Sequence, residues 1–382
     1  MSDSTGNIQP AQFGVDLLST KGGIYQAVCD YHAAIGGRML SLLDPREAHK
    51  GRREAINYYE MASDPLSRLA GRIKAPERKQ LDESLGQASH VFLHGSYRLS
   101  AKYAIDDAFS HGAKKPLFYI PHGSLDPWVF SQRGFVKRLW LRRYGRHLFE
   151  ESNAVLAMTR NELSKIQRLA GVRTNQRVIH LPLDLEQCHF LTSAQETRIK
   201  YGIPIDARVL CYLGRLHPMK RPLETIEAVA SVADSNLHLL IAGPDDAFTA
   251  KEVMHRAIAL GVSDRVHVTG PIYGCDKYDV LNASDAYISL SHRENFNYTA
   301  VEALGMGLPI ILSPGNDLQG EISTQECGWM LSSLGASEVA EGLKAFLATS
   351  SSEINDMGRR GREWVEDHLG FDVFRDKLKG LL

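Results

Sequence analysis

The stretch Ser289-Leu-Ser-His-Arg-Glu-Asn-Phe-Asn-Tyr-Thr-Ala-Val-Glu-Ala-Leu-Gly-Met-Gly-Leu-Pro-Ile-Ile-Leu-Ser-Pro314 decides how this chain is read. It begins inside one apolar run, Ala286-Tyr287-Ile288-Ser289-Leu290, and ends on a second, Pro309-Ile310-Ile311-Leu312. Both are short and bounded by turn residues, the signature of buried strands. Between them Asn297 to Leu304 has apolar residues at helical spacing, so the unit is strand, loop, helix, strand. Glu294 lies in the loop, and Glu302 follows eight positions later inside the helix. The backbone N–H groups of Asn297, Tyr298 and Thr299 open that helix, and such an end favours a phosphate. The two flanking carboxylates can accept hydrogen bonds from hydroxyls. Phosphate plus hydroxyls describes a nucleotide sugar.

The whole chain has room for such a unit and a second domain. Its 382 residues suffice for two ordinary domains, and 43% hydrophobic with 23% charged residues is the composition of a soluble globular protein. No apolar run approaches the roughly 20 residues that span a bilayer. Met1 to Pro10 is polar and lacks the basic-then-apolar order of a signal peptide. Five cysteines (Cys29, Cys188, Cys211, Cys275, Cys327) stand singly, which argues for a reducing compartment and against a structural zinc site. The expected location is therefore the cytoplasm. Net charge is −1, but residues 1–190 hold 26 Lys+Arg against 19 Asp+Glu and residues 191–382 hold 18 against 26. The first half is the one suited to an anionic partner: a membrane surface, a lipid phosphate or an acidic glycan.

Phe13 to Leu18 reads as a strand, Ser19-Thr20-Lys21-Gly22-Gly23 as a turn, Ile24 to Ala34 as a helix and Arg38 to Leu43 as a strand. Gly22 and Gly23 lack Cβ atoms and would let the backbone approach a ligand closely. Residues 46–80, rich in Arg and Lys with Tyr58, Tyr59 and Met61 interleaved, are expected to form surface helices. Val91–His94 and Leu117–Ile120 are strands flanking a helix near Leu99–Ser110. The second strand runs into Pro121-His122-Gly123-Ser124-Leu125-Asp126-Pro127-Trp128. Loops at the carboxyl ends of parallel strands form ligand crevices, so His122 is a candidate site residue. From Pro127 to Phe149 no residue is acidic, while Arg133, Lys137, Arg138, Arg142, Arg143 and Arg146 are basic and Phe135, Leu139, Trp140 and Tyr144 fall at roughly helical spacing. Such a helix either lies on an anionic membrane or packs its apolar stripe on the sheet with its arginines in water. Ala154–Met158 and Arg177–Leu181 are expected strands, with a helix at Asn161–Ala170 capped by Thr159.

The alternation restarts after a linker at residues 183–195. Strands are expected at Arg208–Leu213, Leu237–Ala242 and Val266–Gly270, and helices at Leu223–Ala233, Thr249–Leu260 and Lys277–Asn282. Further helices are expected at 338–348, 353–366 and Phe371–Leu382. Strands alternating with helices imply parallel, doubly wound sheets, here two Rossmann-like blocks. Neither block has a Gly-x-Gly-x-x-Gly fingerprint, a Walker A loop or a Gly-x-Ser-x-Gly elbow, so dehydrogenase, P-loop ATPase and α/β-hydrolase readings lose their main support. No His-x-x-x-His pair suggests a metal, and Asp245-Asp246 reads as readily as a solvated turn.

Gly214-Arg215-Leu216 with Lys220, then Glu294 and Glu302, then Gly307-Leu308-Pro309, resemble the donor half of retaining glycosyltransferases of family 4. Pro121-His122-Gly123 with Trp128, and Gly22-Gly23, are similar to that family's acceptor half. The resemblance runs from about residue 13 to 382 and implies a GT-B fold: two Rossmann-like doubly wound parallel-sheet domains facing across a deep cleft. It implies an acceptor-binding domain over 1–188, a nucleotide-sugar-binding domain over 189–366, and a last helix, 367–382, crossing back to the first. By the same resemblance Arg215 and Lys220 grip the diphosphate and Glu302 the ribose hydroxyls. Glu294 with Asn295, Phe296, Asn297, Tyr298 and Thr299 holds donor sugar and phosphate, and His122 sits near the sugar.

The implied enzyme is a retaining, metal-independent hexosyltransferase that moves a sugar from a GDP- or UDP-sugar to a glycan or lipid-linked glycan, with no cofactor. Its expected place is the cytoplasm, peripheral at the inner membrane face through residues 133–147, and no nucleic acid is expected as a partner. Alternatives are a nucleotide-sugar epimerase, a sugar phosphorylase and a non-catalytic binding protein of the same fold. Physical chemistry supports the cationic roles: as the bond to a nucleoside diphosphate breaks, charge grows on the leaving phosphate, and fixed cations with a helix N-terminus stabilise it. Two departures stand out. Asn297 occupies a position where the family often has glycine, where it would cap the helix or reach the donor. Pro182-Leu183-Asp184 stands where Asn-Gly is common.

Overall fold

Short apolar runs, buried on both faces, assemble into two separate parallel sheets. A computed structural model describes the chain except residues 1–8, 16, 18–21, 44–53, 62–72, 97–98, 111–114, 132–133 and 273. It divides into one unit of Met1–Pro182 with Phe371–Leu382 and another of Leu183–Gly370. The division falls at the start of the linker expected at 183–195, ahead of residue 188, and the terminal helix begins at Phe371, as expected from the sequence, within the 367–382 segment.

The first unit is built on β1 (Ala11–Val15), β2 (Arg38–Leu43), β3 (Ile56–Glu60), β4 (Val91–His94), β5 (Leu117–Ile120), β6 (Ala154–Ala157) and β7 (Gln176–Val178). Their order is β3-β2-β1-β4-β5-β6-β7, every pair parallel. All four residues of β4, β5 and β6 are buried, which is why these strands read as continuous apolar runs rather than alternating ones. Strand order reverses between β1 and β4, where Phe13 stands beside Leu93. In open parallel sheets that reversal, at the carboxyl ends, is where ligands bind. The helix Phe371–Lys379 joins this unit through Phe374, whose ring meets Tyr31 edge-on at 4.7 Å, and Arg375, whose Nε donates to the Ala34 carbonyl at 2.7 Å.

The second unit holds β8 (Arg208–Leu213), β9 (Leu237–Ala242), β10 (Val266–Gly270), β11 (Ala286–Ser289), β12 (Ile310–Leu312) and β13 (Gly328–Met330). The order is β10-β9-β8-β11-β12-β13, again parallel throughout, with the reversal between β8 and β11. Leu210, Leu239, Ile241, Ile288 and Ile311 from its strands share one core with Phe346 and Leu343 of the helix Ala336–Ala348. Burying each such side chain contributes about 1.5–3 kcal/mol.

Three expectations need correction, the first being the strand expected over Phe13–Leu18, which is β1 at Ala11–Val15. The surface helices expected across 46–80 are interrupted by strand β3, with Ile56 and Tyr59 buried against the sheet. Of that stretch, residues 46–53 and 62–72 lie outside the described residues, and the helix that does form is Ala75–Gly86. The strand expected at Arg177–Leu181 is β7, three residues long and starting at Gln176. Strand β13 was not expected at all.

Candidate active site

In the second unit the β8–β11 reversal collects the residues singled out from the sequence. The loop after β8 carries Gly214, Arg215 and Lys220, and the loop after β11 carries Glu294. The two loops are zipped by the His292 N–H donating to the Met219 carbonyl at 2.9 Å. Lys220 Nζ pairs with Glu294 Oε1 across them, both side chains largely shielded from solvent. The Glu294 loop is held from beneath as well: its N–H donates to the Gly315 carbonyl at 2.8 Å and its carbonyl accepts from Asp317 N–H at 2.9 Å. This contact requires glycine, because a Cβ at position 315 would stand 2.3 Å from the His292 carbonyl oxygen.

Arg215 takes a different partner. Its guanidinium pairs with Asp246 in the turn after β9, so the Asp245-Asp246 turn is not merely solvated. Asp245 Oδ1 likewise accepts from the Ala250 N–H at 2.8 Å, fixing the start of the next helix.

Asn297 is the N-cap of the helix Tyr298–Gly305 and sits in the left-handed region at φ 54° and ψ 71°. Glycine and asparagine are the residues that adopt this conformation at least cost, which accounts for one replacing the other here. Its side chain does not turn outward. Oδ1 accepts from the Ala300 N–H at 3.3 Å, and Nδ2 donates to Asn316 Oδ1 at 2.6 Å and Ser289 Oγ at 3.2 Å. Asn316 in turn donates to Ser313 Oγ at 2.9 Å, and Ser313 Oγ donates to the Ser291 carbonyl at 2.6 Å. Asn297, Ser289, Ser291, Ser313 and Asn316 are all buried, so they form a connected polar floor under the helix start. Of the two roles open to Asn297, capping is the one the structure displays. Phe296 is buried edge-on to Tyr298 at 5.7 Å, while Asn295 and Thr299 keep partial exposure.

Glu302 lies in the second turn of that helix and is buried. Lys277, on the helix Asp276–Asn282 after β10, pairs with it at 2.5 Å and sits 4.7 Å from the centroid of the Tyr278 ring. Cys188 contacts the Tyr278 hydroxyl at 3.8 Å, and burial pushes its thiol up to about 11, so it stays neutral and inert. Sequence reasoning missed Lys277 because nothing local links a lysine on one helix to a carboxylate 25 residues later on another.

In the first unit Gly22 caps the helix Gly23–Ile35 at φ 74°, and Gly22 and Gly23 are both exposed with open space where a Cβ would stand. Ser19, Thr20 and Lys21 of the expected turn lie outside the described residues. His122 follows β5, also left-handed at φ 52°. Glu162 holds its loop, accepting from Gly123 N–H at 2.6 Å and Met158 N–H at 2.8 Å. His122 Nε2 meets His94 Nδ1 at 2.8 Å, and His94 Nε2 meets Gln12 Oε1 at 2.9 Å. Burial lowers the His122 pKa to about 3, and burial together with the neighbouring His122 lowers that of His94, so both rings are neutral near pH 7. Neither Gln12 nor His94 was singled out from the sequence, where each is one polar residue in an apolar run. Among the described residues no group of three or more His, Cys, Asp or Glu side chains is placed to hold a metal ion.

Two Rossmann-like parallel-sheet units of this kind are the GT-B architecture. Residues 193–364, which include both loops of the β8–β11 reversal, match the family described as glycosyl transferases group 1. A D-inositol 3-phosphate glycosyltransferase of Corynebacterium efficiens is 28% identical over 185 residues, 47% of this chain and 43% of the relative. A protein of the same name from Actinosynnema mirum is 29% identical over 205 residues, 48% of this chain and 49% of the relative. The matched part thus spans less than half the length of either relative. Among solved structures, Anabaena HepE in complex with UDP-glucose superposes with a TM-score of 0.76 at 17% identity, covering 97% of this chain and 98% of that one. WaaG, described as a glycosyltransferase involved in lipopolysaccharide biosynthesis, gives 0.69 at 16% identity, covering 97% and 99%. Likeness at that level of identity is a likeness of fold.

Proposed function

We propose that this chain is a retaining glycosyltransferase that moves a sugar from a nucleoside diphosphate sugar to a hydroxyl of a glycan or lipid-linked glycan. The observation that carries the proposal is the placement of Lys220 and Glu294 at the β8–β11 reversal, above the capped start of the Tyr298–Gly305 helix. The bond from the anomeric carbon to the β-phosphate oxygen breaks, the acceptor oxygen bonds to that carbon on the same face, and the acceptor proton passes to the leaving phosphate. Negative charge on that phosphate is met by Lys220, Arg215 and the helix N-terminus. Lys220 is held by Glu294 and Arg215 by Asp246, so both cations are oriented before the donor arrives. Glu302, oriented by Lys277, accepts hydrogen bonds from ribose hydroxyls, and Glu294 takes the transferred sugar. In the first unit His122, neutral, hydrogen-bonds a sugar hydroxyl. With two cations for the diphosphate the reaction proceeds without a divalent metal.

The test is a panel of UDP-, GDP- and ADP-sugars with candidate acceptors, inositol 3-phosphate included, in the presence of chelator, the anomeric configuration of the product being read by NMR. A product of retained configuration is expected. Release of free sugar or phosphate alone, inversion, or loss of activity on chelation would each overturn a stated part.

We also propose a peripheral membrane contact through residues 133–147. No helix among the described residues is long and apolar enough to cross a membrane. On the helix Gly134–Arg146, Phe135, Val136 and Leu139 are 75%, 63% and 59% exposed, and Arg138, Arg142, Arg143 and Arg146 lie among them. A cavity of about 420 Å³ beside this helix is lined by Arg138, Arg142, Arg146 and Arg173 over Leu141 and Phe149. Trp140, Leu141 and Tyr144 supply the stripe that packs on the core, so the exposed apolar residues are surplus to packing. Exposed apolar side chains interleaved with arginines suit an anionic lipid surface. Co-sedimentation with phosphatidylserine vesicles, lost on replacing Arg142, Arg143 and Arg146, is the expected result; binding unchanged in that variant would overturn it.

A further inference from the structure

Gln12, His94 and His122 form a chain of three side chains running from the middle of β1, through the end of β4, to the loop after β5. Gln12 is fully buried and His94 is 2% exposed. The two imidazoles have centroids 5.1 Å apart and planes 22° apart with nitrogens at 2.8 Å. That is the geometry of rings meeting nitrogen to nitrogen close to one plane, as an N–H···N bond requires, and not of a face-to-face stack. Tyr31 stands perpendicular to His94 at 5.1 Å and 89°, which fixes that ring's plane.

With the Gln12 amide turned so that Oε1 faces His94, neutral rings have one consistent proton assignment. Gln12 Oε1 is an acceptor, so His94 Nε2 carries the hydrogen of their bond. A neutral His94 then has a bare Nδ1, which accepts, so His122 Nε2 is the donor. A neutral His122 is left with a bare Nδ1. The orientation of the Gln12 amide leaves its buried Nε2 without a hydrogen-bond partner. An unsatisfied buried donor costs about 1–3 kcal/mol. Gln12 is thus a fully buried polar side chain on an apolar strand whose hydrogen-bond partner is His94.

We infer that Gln12 and His94 are positioning residues that set the tautomer of His122, presenting its Nδ1 as a lone-pair acceptor for a sugar hydroxyl. The identity of the ligand rests on the glycosyltransferase reading given above; the tautomer does not. With the opposite tautomer His122 would offer Nδ1–H and prefer an oxyanion or a carbonyl. The chain therefore selects which polar group of a substrate His122 can bind.

The full chain labelled with ¹⁵N-histidine, without substrate, reads this directly through ring-nitrogen shifts, with His122→Asn providing the assignment. Wild type is expected to show His122 protonated at Nε2 and bare at Nδ1. In Gln12→Leu the acceptor is gone, His94 moves its hydrogen to Nδ1, and His122 inverts to Nδ1–H. His122 found as Nδ1–H in wild type, or uninverted in Gln12→Leu, overturns the inference. If Gln12→Leu does not fold by circular dichroism, His94→Phe decides. There His122 Nε2 has no partner and both tautomers should appear, and a single unchanged tautomer would sink the idea. Absence of sugar transfer with the expected tautomers would overturn the functional reading alone.

Discussion

Lys220 on the loop after β8 and Glu294 on the loop after β11 form an ion pair across the point where strand order reverses in the second unit. Both loops are held at these positions: Lys220 N–H donates to the His217 carbonyl at 2.8 Å, and Glu294 is pinned through its backbone to Gly315 and Asp317. A cation held this way needs little reorganisation when charge develops on a bound diphosphate. Lys220→Ala should therefore lower kcat/KM by about 10²–10³, the loss typical of removing one preorganised stabilising group. Steady-state kinetics with the best donor check this, and near-normal turnover would remove Lys220 from the phosphate site.

Arg215 separates function from stability more cleanly. Its side chain is 53% exposed, and its pair with Asp246 is a surface contact. Such pairs contribute no more than about 1 kcal/mol. Arg215→Ala should keep its melting temperature within a few degrees of wild type while losing turnover. A variant that retains full activity would leave Arg215 as a structural partner of Asp246.

Glu302 and Lys277 couple nucleotide binding to stability in the opposite way. Glu302 is buried and paired at 2.5 Å, so Lys277→Ala leaves a carboxylate short of its partner, at a cost on the order of 1–3 kcal/mol. Glu302→Gln keeps the shape and removes the charge. Both should blunt the thermal shift that a nucleoside diphosphate gives wild type, since that shift reports binding to the folded state. An undiminished shift in both would reassign the ribose contact.

Asn297 should behave as a cap and floor residue. Asn297→Gly keeps the left-handed backbone and loses the bonds to Ala300, Asn316 and Ser289; Asn297→Ala loses these and strains the backbone as well. Denaturant unfolding should rank wild type above Gly and Gly above Ala, with Ala lower than wild type by about 2–4 kcal/mol. If glycine instead equals wild type in stability and changes donor preference, the side chain reaches the sugar.

How far the sequence could be read depended on burial. Strands β8 and β9 fall where their apolar runs place them, because each is largely buried and bounded by turn residues. The strands missed outright, β3 and β13, and the misplaced β7 are edge strands of their sheets. An edge strand is covered on fewer sides: β3 mixes buried, exposed and intermediate residues inside a basic stretch, and β13 is three residues of intermediate exposure. At the site the legible residues were those gathered by a local motif, Glu294 to Glu302 above all. Lys277, Asp246, His94 and Gln12 act through partners on other elements, and no spacing in the chain announces such a pairing.

The histidine pair of the first unit has a consequence for acid stability. In the unfolded chain both rings titrate near 6.5, whereas in the fold burial holds His122 at about 3 and His94 well below its ordinary value. Between those limits the unfolded state binds more protons than the folded one, so stability falls as pH falls from 6.5 towards 3 and is independent of these groups above 6.5. Each histidine contributes a slope of up to about 1.4 kcal/mol per pH unit. His122→Asn is the apt comparison, because asparagine tolerates the left-handed φ of 52° that the position imposes. Unfolding free energies measured between pH 7 and 5, above the range where most carboxylates titrate, should fall less steeply in the variant than in wild type. Equal slopes would mean that His122 titrates in the fold as it does in the unfolded chain, and with that its standing as a neutral hydrogen-bonding group would go.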